Sequence, residues 1–319
     1  MKIITILDTG YKSYAYEKEL FERHGYALQL YQGDPSDTTA KRDFASKSAG
    51  ILIRSTYVDG TFFELCPELK AVVRYGVGYD NVNLAHAKAR SIRVANVQGY
   101  ANHSVSDHAI ALIYACTRGL FANEQQIHQS FSAPPFEDMF ELHDKTLGII
   151  GLGRIGSHVA KKAQNLFAQI LAVDPHKPDD HFGQFDVQRV DLETLLAQSH
   201  VITLHCNLTE ETSFLINEKA FEKMQKRPVL INTARGPVIE QKALEKALQQ
   251  GRIHSAGLDV FLEEPPGPAQ DFLLNHPRVV ATGHYAWYSD AASQALQRRA
   301  AENMIALLRG DRIEDCLTD

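Results

Sequence analysis

Short runs of aliphatic and β-branched residues recur along the chain, separated by stretches whose apolar positions repeat every three to four residues. The runs predict strands over 2–7, 27–31, 51–53, 71–73 and 92–95. Helices are predicted between them, notably over 14–24, which Gly25 stops, and over 83–90. A longer helical pattern covers 104–120, and the Pro-containing segment 131–144 reads as a loop. A second series follows, with strands over 146–150, 170–173, 201–204, 229–231, 255–258 and 279–281. Helices over 155–166, 192–197 and 241–249 fill the gaps, and a last helix spans 290–309. This alternation predicts an α/β protein with doubly wound parallel sheets.

The 319-residue length favours two domains, and 44% hydrophobic content is enough for two cores. A net charge of −6 without a basic stripe argues against nucleic acid as a partner. No apolar run is long enough for a membrane span, and the N-terminus does not read as a signal peptide. The four cysteines are widely spaced, with no CxxC pair, so no metal site is expected. A cytoplasmic location follows as the expectation.

The strongest local signal is the run Gly151-Leu152-Gly153-Arg154-Ile155-Gly156, placed between a predicted strand and a predicted helix. That is the context a dinucleotide fingerprint requires. Gly151 permits the tight turn, Gly153 lets a pyrophosphate approach the backbone, and Gly156 lets helix and strand pack closely. The helix N-terminus offers free N–H groups to the anion. Asp174 ends the next strand, where a carboxylate suits ribose hydroxyls and repels a 2′-phosphate, favouring NAD over NADP. The bland alternative is three glycines serving turns in a nucleotide-free domain.

Three segments of the second series place candidate reacting groups just past predicted strands. Arg235 follows 229–231, Asp259 and Glu264 follow 255–258, and His284 follows 279–281. Ligands of open α/β sheets bind beyond the carboxyl ends of strands. Arg suits bidentate binding of a carboxylate, His moves protons near neutral pH, and Glu fixes one imidazole tautomer. Each residue alone reads as a surface group more often than not; their joint placement is what points to chemistry.

Taken together, GLGRIG with Asp174, NTARG, DVFLEEP and GHYAW resemble the D-isomer-specific 2-hydroxyacid dehydrogenases. ILIRS at 51–55, VVRYGVGYDNV at 72–82 and VSDHAIALI at 105–113 extend the resemblance over nearly the whole chain. It is nearest to the 3-phosphoglycerate dehydrogenase and C-terminal-binding-protein branches. It implies two Rossmann-like domains: a substrate domain of residues 1–100 with 284–319, and an inserted NAD-binding domain of 101–283. It implies a homodimer that transfers hydride between NAD and C2 of a small 2-hydroxy or 2-keto acid. The family roles fall on His284 as acid, Glu264 as its partner and Arg235 on the carboxylate, joined there by the Val77 and Gly78 amides. Asp259 would hold the nicotinamide amide. Ser106, Cys206, Thr233 and Ala234 would line the cofactor with the glycine loop. The chain departs from the usual pattern at Gly283, Asn207 and Gly236-Pro237. Gly283 is expected to free the backbone beside His284.

Arg54 and Arg74 each follow a strand of the first series and suit a substrate with a second anion, as in 3-phosphoglycerate dehydrogenase-like activity. Trp287 suits instead an apolar wall around an uncharged side chain. The 104–120 helix is apolar on more than one face, which favours a subunit interface. The alternative to an enzyme is an NAD(H)-sensing, corepressor-like dimeric scaffold.

Overall fold

The computed structural model describes residues 1–127, 134 and 136–318. The chain forms two compact units, Met1–Ala101 with Ser289–Asp319, and Asn102–Tyr288. In this division residues 284–288 group with the second unit rather than with the first. Of the expected 131–144 loop, residues 131–133 and 135 lie outside the described residues. Its remainder carries neither helix nor strand, and Asp138 ties it down by accepting from Arg278 at 3.0 Å.

The first unit holds five parallel strands: β1 (Lys2–Ile6), β2 (Tyr26–Leu30), β3 (Ser48–Ile53), β4 (Ala71–Arg74) and β5 (Arg93–Ala95). Their order in the sheet is β2-β1-β3-β4-β5. Strand β3 starts earlier than its aliphatic run suggests, and all its residues are buried. A Cβ at Gly50 would lie 2.5 Å from the sulfur of Met304, so the Asp290–Arg309 helix packs closely on β3 at this position. The helices Thr38–Ala45 and Gly60–Leu65 lack a long apolar period, but each opens on an aspartate cap: Asp37 accepts from Ala40 N and Asp59 from Phe62 N.

The second unit holds seven parallel strands: β6 (Thr146–Ile150), β7 (Gln169–Val173), β8 (Gln188–Arg189), β9 (Val201–Leu204), β10 (Val229–Asn232), β11 (Ser255–Leu258) and β12 (Val279–Ala281). The order is β12-β11-β10-β9-β6-β7-β8. The chain runs outward from β6 to β8, then returns to β9 on the other side of β6. The strand order therefore reverses between β6 and β9, the place where doubly wound sheets bind ligands.

Residues alternate between the two faces of this sheet. Ile149, Val201, Val229 and Ile231 pack with Ala109, Leu112 and Cys116 of the Asn102–Thr117 helix. Ile150, Ile202, Leu204 and Leu230 pack with Leu195, Phe221, Leu244 and Leu248 on the other face. Helices on both faces explain why β9, β10 and β11 are buried at every position. No helix among the described residues is long and apolar enough to cross a membrane.

Candidate active site

All seven strands of the second unit point the same way, so their carboxyl ends form one edge. Read along that edge from β12, the chain presents His284, Asp259, Arg235, Cys206, the glycine loop and Asp174 in spatial order. Residues scattered over 134 positions of sequence become a single row through topology alone.

The glycine loop is built as its spacing predicts. Gly151 has φ 91°, and a Cβ there would lie 2.6 Å from Cys206 N. Two backbones meet here across the switch point, with no space for a side chain. A Cβ at Gly156 would lie 2.0 Å from Gly151 O, which forces the Arg154–Ala163 helix onto the loop. A Cβ at Gly153 would meet nothing within 4 Å, so this glycine leaves open backbone at the helix N-terminus. Arg154 is exposed and Ile155 packs toward the core. The open cradle fits a pyrophosphate. Asp174 braces the loop by accepting from Leu152 N at 2.9 Å and from His176 N at 3.0 Å.

Behind the loop, His205 Nε2 and Thr203 Oγ1 are 2.9 Å apart, and Thr233 Oγ1 is 3.5 Å from His205 Nδ1. Burial pushes the His205 imidazole down to about 3, so it is a neutral strut even though one edge keeps some solvent contact. Burial likewise pushes the Cys206 thiol up to about 11, which leaves it inert. Thr233 and Ala234 are half-buried beside them. Ser106 lies on the Asn102–Thr117 helix. It is fully buried, donates to Asn102 O at 2.6 Å and accepts from Lys162 Nζ at 2.7 Å, so its hydroxyl is spent within its helix and on the neighbouring one.

Arg235, Glu264 and His284 come together. The Arg235 turn is set by Asn232, whose side chain donates to Arg235 O at 2.9 Å and accepts from Ala234 N at 3.0 Å. Gly236 packs so closely that a Cβ would lie 1.8 Å from Phe261 O, joining this turn to the segment that leads to Glu264. His284 Nδ1 is 2.5 Å from Glu264 Oε2, and Glu264 Oε1 accepts from Phe261 N at 3.1 Å. Burial pushes the Glu264 carboxyl up, but the His284 bond and charge, the Phe261 amide and the Arg235 charge outweigh it and hold the group below its ordinary value. Glu264 is therefore an ionised acceptor at neutral pH, and it orders the imidazole with a proton on Nδ1. Nε2 is left to face a reacting group.

The left-handed backbone falls on His284 itself, at φ 55°, and not on Gly283. The extra freedom expected from Gly283 is therefore not where the loop bends. Asp259 is buried, and its carboxylate accepts from Thr282 Oγ1, Tyr285 N and Ala286 N. Its hydrogen-bonding capacity serves the His284 loop. Trp287 is half-buried, with its ring 5.6 Å from that of Tyr288.

In the first unit, Arg54 and Arg74 end β3 and β4. The Arg54 guanidinium lies over Gly10, where a Cβ would be 3.2 Å from Nη2. Arg74 Nη1 donates to Tyr75 O at 2.8 Å and fills the space a Cβ at Gly76 would take, with the Tyr100 hydroxyl 3.5 Å from that same point. Val77 is exposed, and its carbonyl accepts from Asn96 Nδ2 at 2.6 Å. Sequence reasoning missed what holds this edge. The buried Asp8 carboxylate accepts from Lys41 Nζ and Thr56 Oγ1, each at 2.7 Å, and from the amides of Arg54, Ser55 and Thr56. The partners lie 33 to 48 residues away in sequence, so no local pattern announces them. His108, Thr282 and His205 were missed as well; a histidine beside the apolar run 109–113 of the Asn102–Thr117 helix was the one available signal.

Residues 110–286 match the family model for the D-isomer-specific 2-hydroxyacid dehydrogenase, NAD-binding domain. The chain belongs to this family. It is 38% identical over 258 residues to the glyoxylate reductase of Korarchaeum cryptofilum, covering 80% of this chain and 77% of that one. It is 37% identical over 266 residues to the D-3-phosphoglycerate dehydrogenase of Archaeoglobus fulgidus, covering 83% of this chain but 50% of that longer protein. Among solved structures it superposes on the D-lactate dehydrogenase of Aquifex aeolicus in complex with NAD and lactic acid. The TM-score is 0.89, with 27% identity over 100% of this chain and 99% of that one. The chain is thus an NAD-dependent D-2-hydroxyacid dehydrogenase, with NAD as cofactor. The open backbone at Gly153 leaves space there that fits such a cofactor.

Proposed function

We infer that the enzyme interconverts a 2-keto acid and its D-2-hydroxy acid at the Arg235–Glu264–His284 cluster. The observation that carries this reading is the 2.5 Å contact between His284 Nδ1 and an ionised Glu264, with the Arg235 charge beside it. NAD, when bound, supplies or accepts the hydride at C2. His284 gives the keto oxygen its proton from Nε2 and takes it back in the reverse direction. Glu264 accepts from Nδ1 and fixes the plane of the ring. Arg235 binds the substrate carboxylate through its planar fork, with Val77 and Gly78 amides as further donors. The glycine loop with Arg154 and Ile155, together with Asp174, Cys206, Thr233 and Ala234, holds the dinucleotide, and Asp174 favours NAD over NADP.

For the substrate, Arg54 and Arg74 support an acid with a second anion. The competing wall, Trp287, suits an uncharged side chain. Relatives are named for glyoxylate, 3-phosphoglycerate and D-lactate, so the panel to measure is glyoxylate, pyruvate, phosphohydroxypyruvate, 2-oxoglutarate and a methylthio keto acid with NADH. A charge-assisted contact is worth about 1.5–3 kcal/mol, so the doubly anionic acids should lead by roughly ten- to a hundredfold in kcat/KM. Arg54→Ala and Arg74→Ala should erase that lead while sparing pyruvate. A lead for the methylthio acid, lost in Trp287→Ala, would refute the double-anion reading.

A cytoplasmic homodimer completes the proposal. Tyr114, Leu120, Phe121 and Ile127 are exposed on and just past the Asn102–Thr117 helix, an apolar strip suited to a second copy of the chain. Light scattering at micromolar protein should give the dimer mass; a monomer mass refutes it.

A further inference from the structure

The loop that carries His284 is held by one buried carboxylate. Asp259 Oδ1 accepts from Thr282 Oγ1 at 2.6 Å and from Tyr285 N at 3.1 Å, and Oδ2 accepts from Ala286 N at 3.0 Å. Asp259 O also accepts from His284 N at 2.8 Å. These bonds grip the chain on both sides of His284. Its left-handed backbone at φ 55° needs such an outside constraint.

Thr282 has a single hydroxyl proton, and that proton goes to Asp259. The Thr282 oxygen, 3.0 Å from His108 Nε2, must then accept, so His108 carries a hydrogen on Nε2. The same nitrogen is 3.7 Å from Asp259 Oδ1. The His108 ring also meets Tyr285 edge-on, with centroids 5.5 Å apart. A directed chain of donors thus runs from the Asn102–Thr117 helix through Thr282 to Asp259 and the His284 loop.

We propose that His108 is a positioning residue for His284. Its Nε2–H donor orients Thr282 and steadies the Asp259 carboxylate, and Asp259 sets the backbone that aims the catalytic imidazole. The inference rests on His284 as the proton donor. His108 touches neither substrate nor reacting atoms; it acts through Thr282 and Asp259. The simpler role would be packing of its ring against Tyr285, and two substitutions separate the two. His108→Phe keeps the ring and removes the donor. His108→Gln keeps an N–H donor and removes the ring.

The test measures kcat and KM for the best keto acid of the panel, and NADH affinity, in wild type, both His108 variants, Thr282→Val and His284→Ala. His108→Phe should lower kcat roughly tenfold while KM and NADH affinity stay within about twofold, because a misaimed acid weakens the reaction more than binding. His108→Gln should stay within about threefold of wild type in kcat. A wild-type kcat in His108→Phe, or equal damage in both His108 variants, overturns the proposal. Should His108→Phe fail to fold, Thr282→Val breaks the same chain, and an unchanged kcat there overturns it equally. If His284→Ala itself keeps its turnover, the underlying reading has failed. If His284→Ala is inactive and His108→Phe is not impaired, only the positioning role is lost.

Discussion

The two strand-end edges of this enzyme are built by opposite means. In the second unit the edge is shaped by backbone: Gly151, Gly156 and Gly236 stand where a Cβ would fall 1.8 to 2.6 Å from main-chain atoms. In the first unit the edge is shaped by a buried side-chain network, with Asp8 taking five donors from Lys41 and residues 54–56. A backbone-built site tolerates one residue type at each contact and leaves a readable spelling. A network-built site depends on partners brought together by the sheet, and it leaves none.

The comparison can be broken first at the glycines. Gly151→Ala combines a positive φ with a clash against Cys206 N, neither of which a flexible side chain can relieve. It should abolish NADH binding measurable by calorimetry while the first unit stays folded. Retained binding would show that the loop is not held as rigidly as the contacts imply.

The next largest effect is expected at Asp8. Burial raises its pKa, but bonds from Lys41, Thr56 and Arg54 outweigh it and bring the carboxyl down from 3.8 to about 2. Its folded pKa is depressed, so its stabilisation is complete above the unfolded value and is lost as pH falls from about 4 to about 2. Asp8→Asn leaves Lys41 buried without its counter-charge and should cost about 3–5 kcal/mol in urea unfolding at neutral pH. It should also flatten the acid limb over that window. A cost near zero would mean that the network is decorative and that the contrast between the edges is false.

The smallest effect concerns cofactor choice. Asp174 accepts from one amide of the glycine loop, Leu152 N, and from His176 N just past its own strand, so Asp174→Ala should weaken NADH through the loop as well as narrow its advantage over NADPH. Measured dissociation constants for both dinucleotides check this. Equal use of NADPH by the wild type would contradict the reading of Asp174.

The same contrast explains what was legible. The parallel architecture, the glycine loop and the row Arg235, Glu264, His284 follow from period, spacing and strand-end position, all local features. The short helices after Asp37 and Asp59 carried only a cap as signal. The place of Ser106 between two helices, the demand Asp259 meets in its own loop, and the left-handed φ at His284 depend on contacts between distant segments. His108 reaches Thr282 across 174 positions, a separation no pattern in one sequence reports.

The central claim is that His284, ordered by Glu264, is the proton donor. Single-turnover reduction of a 2-keto acid by His284→Ala, followed by nicotinamide absorbance with NADH affinity measured in parallel, tests it most directly. The expected result is a rate lower by roughly 10²–10⁴-fold, the usual worth of a positioned acid, with NADH affinity unchanged. A near-normal rate in this variant would contradict the claim.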